Sequence, residues 1–220
     1  MLIDLSHTIE HGMITYKGLP APVISAHLTR KDSRRHYERG TEFHIARIEM
    51  VANTGTYLDS PFHRYEDGKD LAQLDLGSLA DLEGVLVRTD HSGERAITAK
   101  TLEQLEVKGR AVLFQTGWDV HWRTEKYADG THPFLTGDAA EYLAGAGAVL
   151  VGIDSYNIDD TVDGRRPVHS ILLAHGVPIV EHMCNLNQLP DSGFRFFAVP
   201  VKVKDFGTFP VRTFAIVAGD

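Results

Sequence analysis

Apolar positions recur along this chain in short runs broken by glycine, and most runs have the length of a strand. "FHIARIEMVA" alternates, with Ile48, Met50 and Ala52 on one face and Arg47 and Glu49 on the other, the period of a half-buried strand. "GVLVRTD", "AVLFQT" and "AVLVGID" are almost continuously apolar, as strands covered on both faces are. "VPIVEHM", "FRFFAVPVKV" and "FPVRTFAIVA" add three more, and the last two flank "KDFGT", which reads as a turn. Helical patterns fall between the strands. "TAKTLEQLEVKG" offers Thr98 as a cap and Gly109 beyond its end, and "TGDAAEYLAGAG" starts at a Thr136 cap and runs out into glycines. "RPVHSILLAHG" places Pro167 in a first turn and Gly176 after the last. The β-α-β-α-β alternation of the second half predicts an α/β fold, and the strand-rich ends predict extra antiparallel pairing, hence a mixed sheet.

Composition narrows the class. The 220 residues suit one domain with one large core, and no repeat, low-complexity tract or linker divides residues 1–220. A net charge of -8 with no basic run argues against nucleic acid or an anionic membrane as partner. No apolar run approaches the roughly 20 residues of a membrane span, and "MLIDLSHTIEHG" lacks the basic and apolar regions of a secretory signal. Cys184 is the single cysteine, so no intrachain disulfide can form; it reads as a small core residue, and the expected location is cytoplasmic.

Candidate chemistry concentrates in two places. "VANTGTYLDSPFHRYEDG", residues 51–68, combines a Gly-Thr pair, a carboxylate, a proline and a histidine. Gly55 and Pro61 would shape a tight turn that projects Asp59 and His63. On spacing alone the same residues fit a strand end with an Asx turn and a surface histidine. The second place is "PVHSILLAHGVPIVEHM", where His169 falls in the first turns of a helix and Glu181 twelve positions on among Ile179 and Val180. A carboxylate there is costly to bury without a cation or hydrogen-bond donors. His175 and His182 are alternatives in the same segment, and periodicity does not rank them. His7 and His11 read as structural or supporting residues. "DVHWRTEKYADGTHPF", residues 119–134, reads as a solvated loop that could also cover a site, and Asp154 and Asp159 stand at a strand end near it. There is no G-x-S-x-G elbow, no H-E-x-x-H and no phosphate-binding Gly-Lys-Thr loop.

With these residues in view the chain resembles the metal-dependent cyclase-like hydrolases, which include bacterial kynurenine formamidases and isatin hydrolases. Their H-x-G-T-H-x-D-x-P-x-H segment stands here as "NTGTYLDSPFH", residues 53–63. "DLSHTIEHGM", "FQTGW", "GIDSYNID" and the stretch from His169 to Glu181 extend the likeness in order along the whole length. The resemblance implies a compact α/β domain of the swivelling β/β/α type, with layered mixed sheets and flanking helices, in a homodimer or higher oligomer. It implies Asp59, His169 and Glu181 as metal ligands, His63 as proton shuttle and Tyr16 as an aromatic against the substrate. Asn53 and Tyr57 replace the two hallmark histidines that would complete a second metal site. An amide oxygen is a weak zinc ligand, and a phenol with a pKa near ~10 gives up its proton reluctantly. A single divalent ion, Zn²⁺ or Mn²⁺, is therefore expected, with Tyr57 as a phenol donor to an oxyanion. The implied activity is arylformamidase-like hydrolysis of a C–N bond in a small formamide, amide or lactam, as in tryptophan catabolism. A lyase, dehydratase or cyclisation reaction at the same centre, or a non-catalytic small-molecule binder, are the alternatives.

Overall fold

A computed structural model of the chain describes residues 1–89 and 93–218. Its strands are β1 Leu2–Asp4, β2 Val23–Leu28, β3 Ile45–Glu49, β4 Tyr57–Asp59, β5 Leu82–Arg88, β6 Ala96–Ile97 and β7 Ala111–Gln115. They continue as β8 Phe134–Leu135, β9 Leu150–Ile153, β10 Ile179–Glu181, β11 Ser192–Phe197, β12 Thr208–Pro210 and β13 Phe214–Val217. The helices are α1 Arg30–Ser33, α2 Gly137–Ala146 and α3 Pro167–Ala174.

Nine strands form one sheet in the order β1-β13-β11-β5-β7-β9-β10-β4-β12. The middle, β5-β7-β9-β10, is parallel, and antiparallel strands extend it on both sides, giving the mixed sheet expected. The continuous apolar runs became the central strands because both faces are covered. Val112, Phe114, Val151 and Ile153 pack under α2 and α3, while Leu113, Leu150 and Val180 meet Phe194 and Phe196 on the other face. The period of two along β7 thus feeds two separate cores.

Four expectations need correction. "TAKTLEQLEVKG" makes only one 3₁₀ turn, Ala99–Thr101, because burying Leu102 and Val107, five apart, breaks the helical repeat. "FHIARIEMVA" yields β3, which pairs only with β2 and leaves all five of its residues exposed, so its alternation marks a ribbon outside the core. "FPVRTFAIVA" splits into β12 on one edge of the sheet and β13 near the other, so "KDFGT" leads from β11 into a distant strand and closes no hairpin. β4 went unforeseen, since its three residues lie between a glycine and a proline that signal only a turn. The last residue of "GVLVRTD", Asp90, lies outside the described residues.

Candidate metal centre and its pocket

Short, buried β4 organises the site. Its register sets Asp59 beside Thr208 of β12 on one side and Tyr57 beside Glu181 of β10 on the other. α3 brings His169 to the same point from its first turn. His169 Nε2 lies 3.6 Å from Asp59 Oδ2 and 3.7 Å from Glu181 Oε1. These gaps are too long for hydrogen bonds and close to the roughly 3.4 Å edge between ligands of a tetrahedral ion with ~2.1 Å bonds. One ligand atom from each of the three residues falls within 4.8 Å of the others. Asp59 Oδ2 is buried and has no hydrogen-bond partner. An orphaned carboxylate oxygen aimed at an imidazole nitrogen and a second carboxylate is a donor set that fits a divalent cation.

Each of the other two donors is held from behind. His169 Nδ1 lies 2.6 Å from Asp159 Oδ2, which also accepts from His169 N, while Asp159 Oδ1 accepts from Val168 N. Asp159 therefore caps α3 from another segment and turns His169 Nε2 toward the centre. Glu181 Oε1 accepts from Ile158 N at 2.7 Å, and Oε2 accepts from the Tyr57 hydroxyl at 2.7 Å. Burial works against charge on His169, but Glu181, Asp159 and Asp59 outweigh it and push its pKa up to about 10. Burial likewise raises Asp59, yet His63, His169 and Thr208 together hold it below the ordinary carboxylate value. A divalent ion bound there would compensate the two carboxylates, and His169 Nε2 faces the point it would occupy.

The structure gives Tyr57 a task other than donating to an oxyanion. The residue is 2% exposed, and its single phenolic proton is directed at Glu181. Behind it the His182 Nε2 lies 3.3 Å from the Tyr57 oxygen, and the Tyr127 hydroxyl lies 2.8 Å from His182 Nδ1. Burial, then the charges of Glu181 and Asp59, raise the Tyr57 pKa well above its ordinary value, so the phenol stays protonated.

His169, Glu181 and Tyr57 open onto a pocket of about 380 Å³ that Tyr16, Asn53, His63, Arg64 and Arg166 also line. Tyr16 stacks on Tyr156 with centroids 4.7 Å apart. Of the alternatives, His175 is exposed and turned back onto Ile171 O, and His182 is buried behind Tyr57. His7 stacks on Trp122, and His11 accepts from Ile24 N; neither joins the donor set. The 119–134 segment is solvated only in part: Val120, Arg123, Thr124, Glu125, Lys126, Asp129 and Thr131 are exposed, while Tyr127 and His132 are buried and Tyr127 reaches His182. Asp154 holds the Thr116–Gly117 turn and lies outside the donor set. The sequence pattern does not single out Thr208, hidden in a turn signal, or the pocket residues Arg64 and Arg166, and it marks Asp159 only as a neighbour.

Comparisons with known proteins give the family and the fold. The profile of the cyclase family, described as "Putative cyclase", matches residues 3–160, and the chain belongs to that family. A kynurenine formamidase of Bacillus cytotoxicus is 27% identical over 211 residues, covering 96% of this chain and 94% of that protein. A solved structure described as a potential metal-dependent hydrolase with cyclase activity superposes with a TM-score of 0.78 at 26% identity, over 100% of this chain and 99% of that one. Isatin hydrolase A from Labrenzia aggregata shares the fold, with a TM-score of 0.84 at 20% identity over 100% and 94% of the two chains.

Proposed function

We propose that this chain is a metal-dependent hydrolase of a C–N bond in a small formamide, amide or lactam, working with one divalent ion held by Asp59, His169 and Glu181. The observation that carries the reading is the bare, buried Asp59 Oδ2 facing His169 Nε2 and Glu181 Oε1, whose residues line the pocket. Full-length similarity to a kynurenine formamidase and to a metal-dependent hydrolase supports the reaction class. One imidazole and two carboxylates suit Zn²⁺ or Mn²⁺.

Held by Asp59, His169 and Glu181, a divalent ion would supply polarisation of a carbonyl and a lowered pKa for water. The chain's own groups do the rest. His63, on the pocket wall with a side chain 36% exposed, accepts the proton of the attacking water and returns it to the leaving nitrogen. Tyr57, donating its hydroxyl proton in a hydrogen bond to Glu181 Oε2, holds that carboxylate in place where the family pattern has a second set of metal ligands. Tyr16 forms an aromatic wall for the substrate. Arg64, whose Nε donates to Ser170 Oγ, and Arg166, whose Nη1 donates to Asp160 O, line the same pocket, and their charge favours a substrate carrying an anionic group.

We also propose a homo-oligomer. Val23, Ile24, Ile45 and Ile48 of the β2–β3 ribbon are 39–49% exposed. A second β3 laid antiparallel about Ile48 would set each Arg47 opposite a Glu49. Light scattering should give a multiple of the 24.4 kDa chain mass, and a monomer would refute this part. The reaction is tested by assaying N-formylkynurenine, formanilide and isatin before chelation, after it, and after return of Zn²⁺ or Mn²⁺. Turnover lost on chelation and restored by either ion supports the reading. Turnover indifferent to chelation, or none on any compound, contradicts it.

A further inference from the structure

The "KDFGT" turn, residues 204–208, does more than connect strands. β12 joins the sheet only through β4 and begins at Thr208, directly opposite Asp59. The approach depends on Gly207. A Cβ there would stand 2.5 Å from His63 N and 2.6 Å from His63 Cα, so any larger residue would push the strand off the 61–63 turn. With glycine in place, Ser60 N donates to Gly207 O at 2.7 Å, and the Thr208 side chain is clamped between two members of the site.

Thr208 is 3% exposed, and its hydroxyl contacts both Asp59 Oδ1 and His63 Nδ1, the latter at 2.8 Å. His63 Nδ1 and Asp59 Oδ1 are themselves 3.7 Å apart, too far for a direct bond, so the hydroxyl is the link. A threonine hydroxyl has one proton to give. Asp59, held below the ordinary carboxylate value by His63, His169 and Thr208, is ionised and can only accept, so that proton goes to Oδ1. The hydroxyl oxygen must then accept from His63, and Nδ1 is the nitrogen that carries hydrogen. In a neutral imidazole this leaves the lone pair on Nε2, which makes no hydrogen bond to protein among the described residues.

We propose that Thr208 is a positioning residue that fixes His63 as its Nδ1–H tautomer and so presents Nε2 to the pocket as the proton acceptor. The kinetic consequence rests on the hydrolase reading above; the tautomer does not.

Both are read in one experiment. Long-range ¹H–¹⁵N spectra of the ring nitrogens, recorded in mildly alkaline buffer on metal-free and Zn²⁺-loaded protein and assigned with His63→Gln, should show His63 protonated at Nδ1. Thr208→Val, which keeps the shape and removes the hydroxyl, should move the population toward Nε2–H, and Thr208→Ser should restore Nδ1–H. In turnover at saturating metal the valine variant should lose about 10- to 100-fold in kcat, with KM within about twofold of the parent, while the serine variant recovers most of the rate. Should the valine variant not fold, Thr208→Ala and the parent spectrum decide the matter. Nε2–H in the parent, or a valine variant with the parent's tautomer and kcat, overturns the proposal. Nδ1–H in a protein that hydrolyses nothing upholds the positioning and counts against the hydrolase reading alone.

Discussion

Asp159 offers the sharpest separation between holding the fold and holding the metal. It is fully buried and receives three N–H groups: Val168 N at 2.7 Å on Oδ1, and His169 N at 3.1 Å and His169 Nδ1 at 2.6 Å on Oδ2. Asp159→Ala strands all three donors, two of them in the first turn of α3. An unmet buried donor costs about 1–3 kcal/mol, so a loss of roughly 3–5 kcal/mol is expected in urea unfolding of the metal-free protein. His169 also loses the contact that turns Nε2 inward, which should weaken metal binding about 10- to 100-fold. Asp159→Asn behaves differently. Its one oxygen settles where Oδ2 stands and keeps both His169 contacts, while its amide faces Val168 N. Only one hydrogen bond is lost, so stability should fall by about 1–3 kcal/mol and metal affinity by less than about tenfold. Calorimetric titration with Zn²⁺ and Mn²⁺, beside the urea midpoints, should rank affinity as parent, Asn, then Ala, with the wide step before Ala. An alanine variant that binds metal as the parent does would refute the account of how His169 is oriented.

Other perturbations reach neighbouring parts of the site. Tyr57→Phe removes the donor to Glu181 Oε2 and the acceptor at 3.3 Å from His182 Nε2, so it should cost about 2–3 kcal/mol and weaken metal binding about tenfold; unchanged urea and metal titrations would rule out the supporting role. Gly207→Ala should cost about 1–3 kcal/mol because the new methyl meets His63 backbone, and an unchanged unfolding midpoint would show that the close approach is not required. Burial lowers the pKa of His182 to about 3 and of His7 to about 4. Both stay neutral in the folded chain while the unfolded chain takes up protons near ~6.5, so their contribution is full above that pH and is lost as pH falls from about 6.5 through 4 and 3. Urea midpoints should therefore drop between pH 7 and 5, less steeply in His7→Gln; equal slopes would exclude His7 from the effect.

The strands that read most clearly in the sequence were those whose physics is local. β7 and β9 are covered on both faces, so continuous apolar runs such as "AVLFQ" announce them. β3 shows the limit of that logic: an alternating pattern records a two-faced strand but not whether either face is covered, and among the described residues all five positions of β3 stay exposed. Asp59, His169 and Glu181 could be named from the family likeness, and the folded chain brings their ligand atoms together. Their supports could not be read in the same way. Asp159 acts through a helix eight residues further on, and Thr208 through a strand pairing 149 positions away from Asp59. Neither spacing has a sequence signature, because both depend on the order of strands in the sheet. Tyr57 could be seen as a departure from the hallmark, but its partner Glu181 became visible only with the β4–β10 register.

A site of Asp59, His169 and Glu181 that lacks a second set of ligands should hold one ion and no more. Metal analysis of the purified, desalted protein tests it most directly, together with His169→Ala, Glu181→Ala and Asn53→Ala. The account predicts one Zn²⁺ or Mn²⁺ per chain, lost in the first two variants and kept in the third. Two ions per chain, none, or one that survives loss of both His169 and Glu181 would contradict it.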